Sequence, residues 1–189
     1  MSHLHKVIHN SSFLSEAYQQ VRLMFFDEAR FGRISDIAYC WCFKGFRPIV
    51  PSLCVREYMY VYGAVDPVCG DSSFIIAPNC NTDWTNAFFD VVSRQFPNDY
   101  ILMVGDNASW HKSKRLALPN NMELMHIPPY TPEMNPAEQI WDDVREKDFK
   151  NRFFDSLKNV TDQLCISFSN IPKNLLLSMC GRDWINDMF

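Results

Sequence analysis

The run Tyr100-Ile101-Leu102-Met103-Val104 is unbroken in its apolar character and ends in Gly105-Asp106-Asn107. A continuous apolar run of this length marks a strand buried on both faces. Such a strand needs a layer of other elements above and below it, so a layered architecture around a central sheet follows. The run also aims an acid out of the end of that sheet.

The flanking segments supply the layers. Arg22-Leu-Met-Phe-Phe-Asp27 reads as a strand ending in an acid, and Ile37–Phe43, Tyr58–Val65 and Phe74–Ile76 read as three more, with the turn Asp66-Pro67 between the last two. Short connections predict an antiparallel meander. The period then changes: Trp84, Ala87, Phe88, Val91 and Val92 recur at helical spacing after Thr82-Asp83, which offer N-capping chemistry, and Phe96-Pro97 stops the helix. A short apolar run covers Met122 to Ile127. Four prolines make residues 128–136 a rigid loop, and Asn135-Pro136-Ala137-Glu138 has the grammar of a helix start, with Ile140, Trp141 and Val144 on its apolar stripe. Residues 155–168 and 172–180 read as further helices. Strands, a helix, a strand and then helices make an α/β sandwich with a mixed sheet.

Several function classes drop out. The six glycines never fall within five residues of one another, which excludes G-x-G-x-x-G, the Walker-A loop and the G-x-S-x-G elbow. The longest stretch without a formal charge runs from Ser72 to Thr82, far short of a membrane span, and the N-terminus lacks the apolar core of a signal peptide. A soluble, cytoplasmic protein is the expectation. Seven cysteines form no C-x-x-C pair and are expected to be reduced and buried. His3, His5 and His9 sit on a terminus expected to fray and are read as tail. The net charge of −4 argues against a protein that merely coats nucleic acid, although His111-Lys112-Ser113-Lys114-Arg115 forms a local basic cluster.

Three acids fall at element termini: Asp27, Asp106 and Glu138. Crevices form at strand ends, where the sheet holds groups rigid. Three converging carboxylates repel one another unless a cation sits among them, and all-oxygen ligation favours Mg²⁺ or Mn²⁺ over zinc. Two-metal phosphodiester chemistry suits such a cluster. Each acid also has a structural alternative: a polar strand end for Asp27, a turn residue for Asp106, and for Glu138 the reciprocal member of a capping box with Asn135.

The strings FFDEARFGR (25–33), VGDNASWHKSK (104–114) and IPPYTPEMNPAEQIW (127–141) resemble, in order, the three signature blocks of the mariner-type superfamily of DDE transposases, in the branch carried by bacterial insertion sequences. Thirty-one residues separate Asp106 from Glu138, close to that superfamily's spacing. The resemblance implies a ribonuclease H-like α/β fold, a mixed five-stranded sheet flanked by helices. It implies Asp27, Asp106 and Glu138 as the catalytic and metal-binding triad holding two Mg²⁺ (or Mn²⁺) ions, with no covalent enzyme intermediate. Double-stranded DNA, as transposon ends and target, becomes the expected partner, with insertion at TA dinucleotides and a bacterial, nucleoid-associated location. A homodimer, or pairing with a separate DNA-binding half, is also implied.

Glu28 is placed outside the triad because neighbouring strand residues face opposite ways, and Asp142 and Asp143 because they lie a turn deeper in their helix. His111, Lys112, Lys114 and Arg115 are candidate phosphate contacts, with a solvated helix face as the alternative. Trp110 and Tyr130 are candidate base-stacking residues, weighed against buried packing. The family's helix-turn-helix reader is expected to be missing: a lead-in over 1–20 is expected to precede a catalytic domain over 21–189, as in half of a split element, a remnant or an excised domain. The competing readings are a catalytically silent fragment that regulates by binding DNA or a full-length partner, and a cellular nuclease of the same fold.

Overall fold

Strand β1 (Gln20–Ile34) runs through the middle of the sheet in the computed structural model, which describes residues 17–129, 131–169 and 171–186. His3, His5, His9 and Tyr130 lie outside the described residues. Strands β2 (Cys54–Val65) and β3 (Ser72–Ala77) complete an antiparallel meander on one side of β1. On its other side β4 (Asp99–Gly105) and β5 (Met122–His126) run parallel, giving the order β3-β2-β1-β4-β5. This is the expected mixed five-stranded sheet.

Helices cover both faces. Even-numbered β1 residues Met24 and Phe26, with Tyr62, Ile101 and Met103, pack on Phe88, Phe89 and Val92 of α1 (Thr82–Gln95). Odd-numbered Leu23, Phe25, Ala29 and Phe31 pack against α2 (Glu138–Val144), α3 (Leu157–Ser169) and α4 (Lys173–Cys180), and the short α5 (Asp183–Asn186) adds Ile185 to the same core. A slip of one residue in β1 would exchange the two faces, so the double-sided core fixes the register. Among the described residues no helix is long and apolar enough to cross a membrane.

Four local expectations are corrected. The cap of α1 is Asn81, whose Oδ1 accepts the Trp84 N–H at 3.0 Å, one residue before the expected Thr82-Asp83. Asn135 is not the cap of α2: its Oδ1 accepts the Ala137 N–H at 3.2 Å in an Asx turn, and the helix begins at Glu138 with Ala137 at its N-cap and no side-chain cap hydrogen bond. Ile37–Phe43 is not a strand: it lies on an irregular arm with Tyr39, Trp41 and Phe43 at 106%, 104% and 89% exposure. The β1–β2 ladder bulges between Gly32 and Ile34 and ends at Ile34–Cys54, and Pro48 and Pro51 on the returning side have no N–H with which to extend it. The cysteines are all free thiols as expected, but only Cys180 is buried, while Cys40, Cys42, Cys54, Cys69 and Cys165 are exposed.

One glycine is required by packing. Gly63 pairs with Asp27 across β1–β2, and a Cβ there would lie 2.5 Å from Cη2 of the buried Trp141 and 2.8 Å from the Phe74 ring. Trp141 can therefore come this close to the sheet only because this position has no side chain. We predict that Gly63→Ala lowers stability by about 1–3 kcal/mol through overpacking; thermal unfolding that leaves the midpoint unchanged would refute this.

Candidate active site

The last β1–β4 pair is Phe25–Val104, and Asp27 and Asp106 each stand two residues beyond it. Parallel register therefore carries both acids to neighbouring positions at one end of the sheet, where adjacent strands lie about 4.8 Å apart. Asp27 shares the face of Leu23 and Phe25, toward α2, and Glu138 opens that helix. Two side chains pin the helix start to β1. Asn135 Nδ2 donates to the Phe26 carbonyl at 3.1 Å, and the Trp141 indole N–H donates to Asp27 Oδ2 at 2.8 Å. Asp27, Asp106 and Glu138 consequently line one cavity of about 420 Å³, together with Asn107, Thr131 and Asn135.

The structural alternatives fare differently. Asp27 is only 9% exposed, so it is no solvated strand end. The Glu138 carboxylate accepts no hydrogen bond among the described residues, so it is not the second half of a capping box. Asp106 does act as a turn residue through Oδ1, which accepts the Ala108 N–H at 2.9 Å. Its Oδ2 has no hydrogen-bond partner among the described residues.

Burial, and then the nearby Glu138 charge, raise the Asp27 pKa to about 7 against the opposing Trp141 hydrogen bond. Burial also raises Glu138, and the Asp106 charge adds to the effect while Arg145 opposes it. Asp106 is lowered by its hydrogen bond to His111 and by the Ala108 N–H. Among the described residues no three acids, histidines or cysteines are gathered into a ready-made metal cage. The acids stand along the walls of the cavity. Their donor set is all oxygen and mutually repulsive, which fits a hard divalent cation such as Mg²⁺ or Mn²⁺.

The basic cluster divides. His111 is 2% exposed and cannot be the surface phosphate contact its neighbours suggested. It lies on the 3₁₀ turn Ser109–Lys112, with Nδ1 2.8 Å from Asp106 Oδ1 and Nε2 2.8 Å from Glu28 Oε1. Burial disfavours its charged form, but the hydrogen bonds to the two carboxylates prevail and raise its pKa to about 9. Trp110 is half-buried and donates its indole N–H to Glu28 at 3.1 Å. Lys112, Lys114 and Arg115 are exposed, and Arg115 is paired with Asp83. Glu28 faces away from the cavity, while Asp142 and Asp143 pair with Arg145 and Lys147.

The sequence pattern of the DDE superfamily endonucleases matches residues 22–161, most of the chain and all of the cavity. The chain belongs to this family. A protein of Sinorhizobium fredii (strain NBRC 101917 / NGR234), the uncharacterised y4pE/y4sA, is 27% identical over 130 residues, covering 67% of this chain and 96% of that protein. The fold is that of the ribonuclease H-like catalytic domains. It matches a Mos1 transposase paired-end complex with the left transposon end at a TM-score of 0.63 and 14% identity, over 92% of this chain and 55% of that one. A Mos1 mariner paired-end complex with Mn matches at 0.62 and 14%, over 93% and 57%. This chain thus spans a little over half the length of the Mos1 chains it matches.

In this DDE endonuclease chain, periodicity placed Trp141 only on an apolar stripe and left its N–H unassigned. Sequence reasoning also missed the contact between His111 and Glu28, which only the turn after β4 brings together. The strained member is Asp27. A carboxyl whose folded pKa lies above its ordinary value of 3.8 makes the protein less stable as pH rises from about 4 to 7. We predict that Asp27→Asn, which keeps an oxygen for the Trp141 N–H, stabilises the metal-free protein at pH 8 by up to roughly 4 kcal/mol. The gain should shrink steadily toward pH 4 in thermal melts, and a pH-independent difference would contradict the assignment.

Proposed function

We propose that the domain cuts and transfers DNA strands as the catalytic part of a transposase, with Asp27, Asp106 and Glu138 as its acid triad. The observation that carries this reading is the convergence of three acids on one cavity, from the middle of β1 where its pairing with β4 stops, from just past β4, and from the start of α2. Membership of the DDE endonuclease family supports the same chemistry. Mos1 paired-end complexes have been solved with Mn and with Mg.

In this reading the three carboxylates hold two divalent ions, Mg²⁺ or Mn²⁺. Such a pair, when bound, activates a water or later a 3′-hydroxyl and stabilises the leaving oxygen of a phosphodiester. The chain's own part is to fix donors and exclude slack. Trp141 holds one Asp27 oxygen, the Ala108 N–H holds one Asp106 oxygen, and Asn135 sets where Glu138 begins its helix. Lys112, Lys114 and Arg115, exposed beyond the β4 end, supply positive charge for the phosphates of double-stranded DNA. The reading includes transposon ends and target DNA as substrates, and a second copy or a separate DNA-binding half as partner.

The purified chain, given supercoiled or short duplex DNA, is expected to nick it only with Mg²⁺ or Mn²⁺ present. Asp106→Asn should lower that rate by more than about a hundredfold, the scale expected when stabilisation of several kcal/mol is lost. Metal-dependent cleavage that survives Asp106→Asn would sink the assignment. Absence of nicking across a full metal titration would favour the silent, partner-binding alternative.

A further inference from the structure

Glu28 is a buried acid that the triad does not use. Its side chain is 5% exposed, on the face of the sheet opposite the cavity. A carboxylate so placed is costly unless it is well paired, and its partners all lie on one short segment. Oε1 accepts the Trp110 indole N–H at 3.1 Å and stands 2.8 Å from His111 Nε2. The other ring nitrogen of His111 reaches Asp106 Oδ1 at 2.8 Å, and the ring is held between Phe26, at 4.8 Å between centroids, and Trp110, at 5.7 Å. The ring therefore has no freedom to swing away from Asp106.

We propose that Glu28 and His111 are positioning residues: Glu28 holds His111, and His111 fixes Asp106 so that its Oδ2 is presented to the cavity. The consecutive residues Asp27 and Glu28 then set both sheet-borne acids from one place on β1. Asp27 enters the cavity directly on one face, and Glu28 steers Asp106 through the imidazole on the other. Asp106 needs this support because it lies past the end of the β4 ladder, where backbone pairing no longer orients it. Outer partners of this kind orient metal-binding side chains, and losing one commonly weakens metal affinity by about 10–100-fold. The inference rests on the triad reading above.

The test is Mn²⁺ binding to the purified full chain without DNA, read from the loss of the free-Mn²⁺ electron paramagnetic resonance signal, with folding checked by circular dichroism. Asp106→Asn is the benchmark: unchanged Mn²⁺ affinity in that variant would overturn the triad reading itself. Given a benchmark loss, Glu28→Met and His111→Phe, which keep volume but remove the polar link, should each weaken Mn²⁺ by about 10–100-fold. Glu28→Gln, which keeps an oxygen for both donors, should stay within about threefold, a rescue that general loss of packing would not give. The Glu28→Met/His111→Phe double variant should be no weaker than the worse single variant, because the pair acts as a unit. Folded Glu28→Met and His111→Phe proteins with unaltered Mn²⁺ affinity would overturn the positioning role while leaving the triad standing. Should either variant unfold, Trp110→Phe carries the test: it removes only the indole donor to Glu28, and unaltered Mn²⁺ affinity there would likewise overturn the proposal.

Discussion

The parallel pairing of β1 with β4 is the constraint from which the cavity follows. In a parallel pair, residues equally far past a paired position stand side by side, so the chain needs no special loop to bring Asp27 and Asp106 together; it needs only the register Phe25–Val104. That register is held by burial on both faces, since Phe25 and Phe26 are each at most 1% exposed and point into different cores. Each such ring contributes about 1.5–3 kcal/mol by leaving water. A shift of one residue would place Asp27 among Phe88 and Phe89. The packing of ordinary aromatic residues thus determines where an acid stands.

Glu138 reaches the same place by a different route, and the Trp141 indole is what joins the two. Trp141 lies three residues after Glu138, so both project from the same side of α2. Its N–H bonds to Asp27 while its six-membered ring rests over Gly63, the β2 partner of Asp27. One side chain therefore sets the height of α2 over the sheet and the orientation of the Asp27 carboxylate. The arrangement explains why a large aromatic and a glycine occur where they do, and it makes the first and third acids mutually dependent in position.

Local signals disclosed most of the frame. The run Tyr100–Val104 marked the central strand, the change of period at Trp84 marked α1, and the loop of four prolines followed by Asn135-Pro136 marked the entry to α2. Non-local matters were hidden. Ile37–Phe43 has strand composition, but a strand also needs a partner, and the limits on pairing lay elsewhere, in the bulge after Gly32 and in Pro48 and Pro51. His111 stood in a run of cations that resembles a solvated face. Its burial depends on a 3₁₀ turn whose direction no periodicity reveals, and on Glu28, a strand residue 83 positions away. Strand alternation puts Glu28 on the far face, where it lies, but nothing in the sequence shows that His111 and Trp110 meet it there.

The contrast between the start of β1 and its middle shows how this fold separates charge that is fully paired from charge that is not. At one end Arg22, 8% exposed, bonds Asp99 at 2.7 Å, Asp71 at 2.8 Å and Asp66 at 2.9 Å, and its guanidinium lies 4.1 Å from the centre of the Phe96 ring. Asp66 also takes the Val68 and Cys69 N–H groups, and Lys173 offsets Asp71. Every buried charge there has close partners, the condition under which buried ions are tolerated. Where β1 parts from β4 the acids are thinly supplied: Asp27 has the Trp141 indole and the Glu28 backbone N–H, Asp106 a single imidazole and a backbone N–H, and Glu138 no hydrogen bond among the described residues. A fold that satisfies the Arg22 cluster so fully gains nothing in stability from leaving the three acids short of positive charge. Under the proposed function this deficit is room for cations that come from solution, and the saturated Arg22 cluster in the same strand shows that it is not a general looseness of the packing.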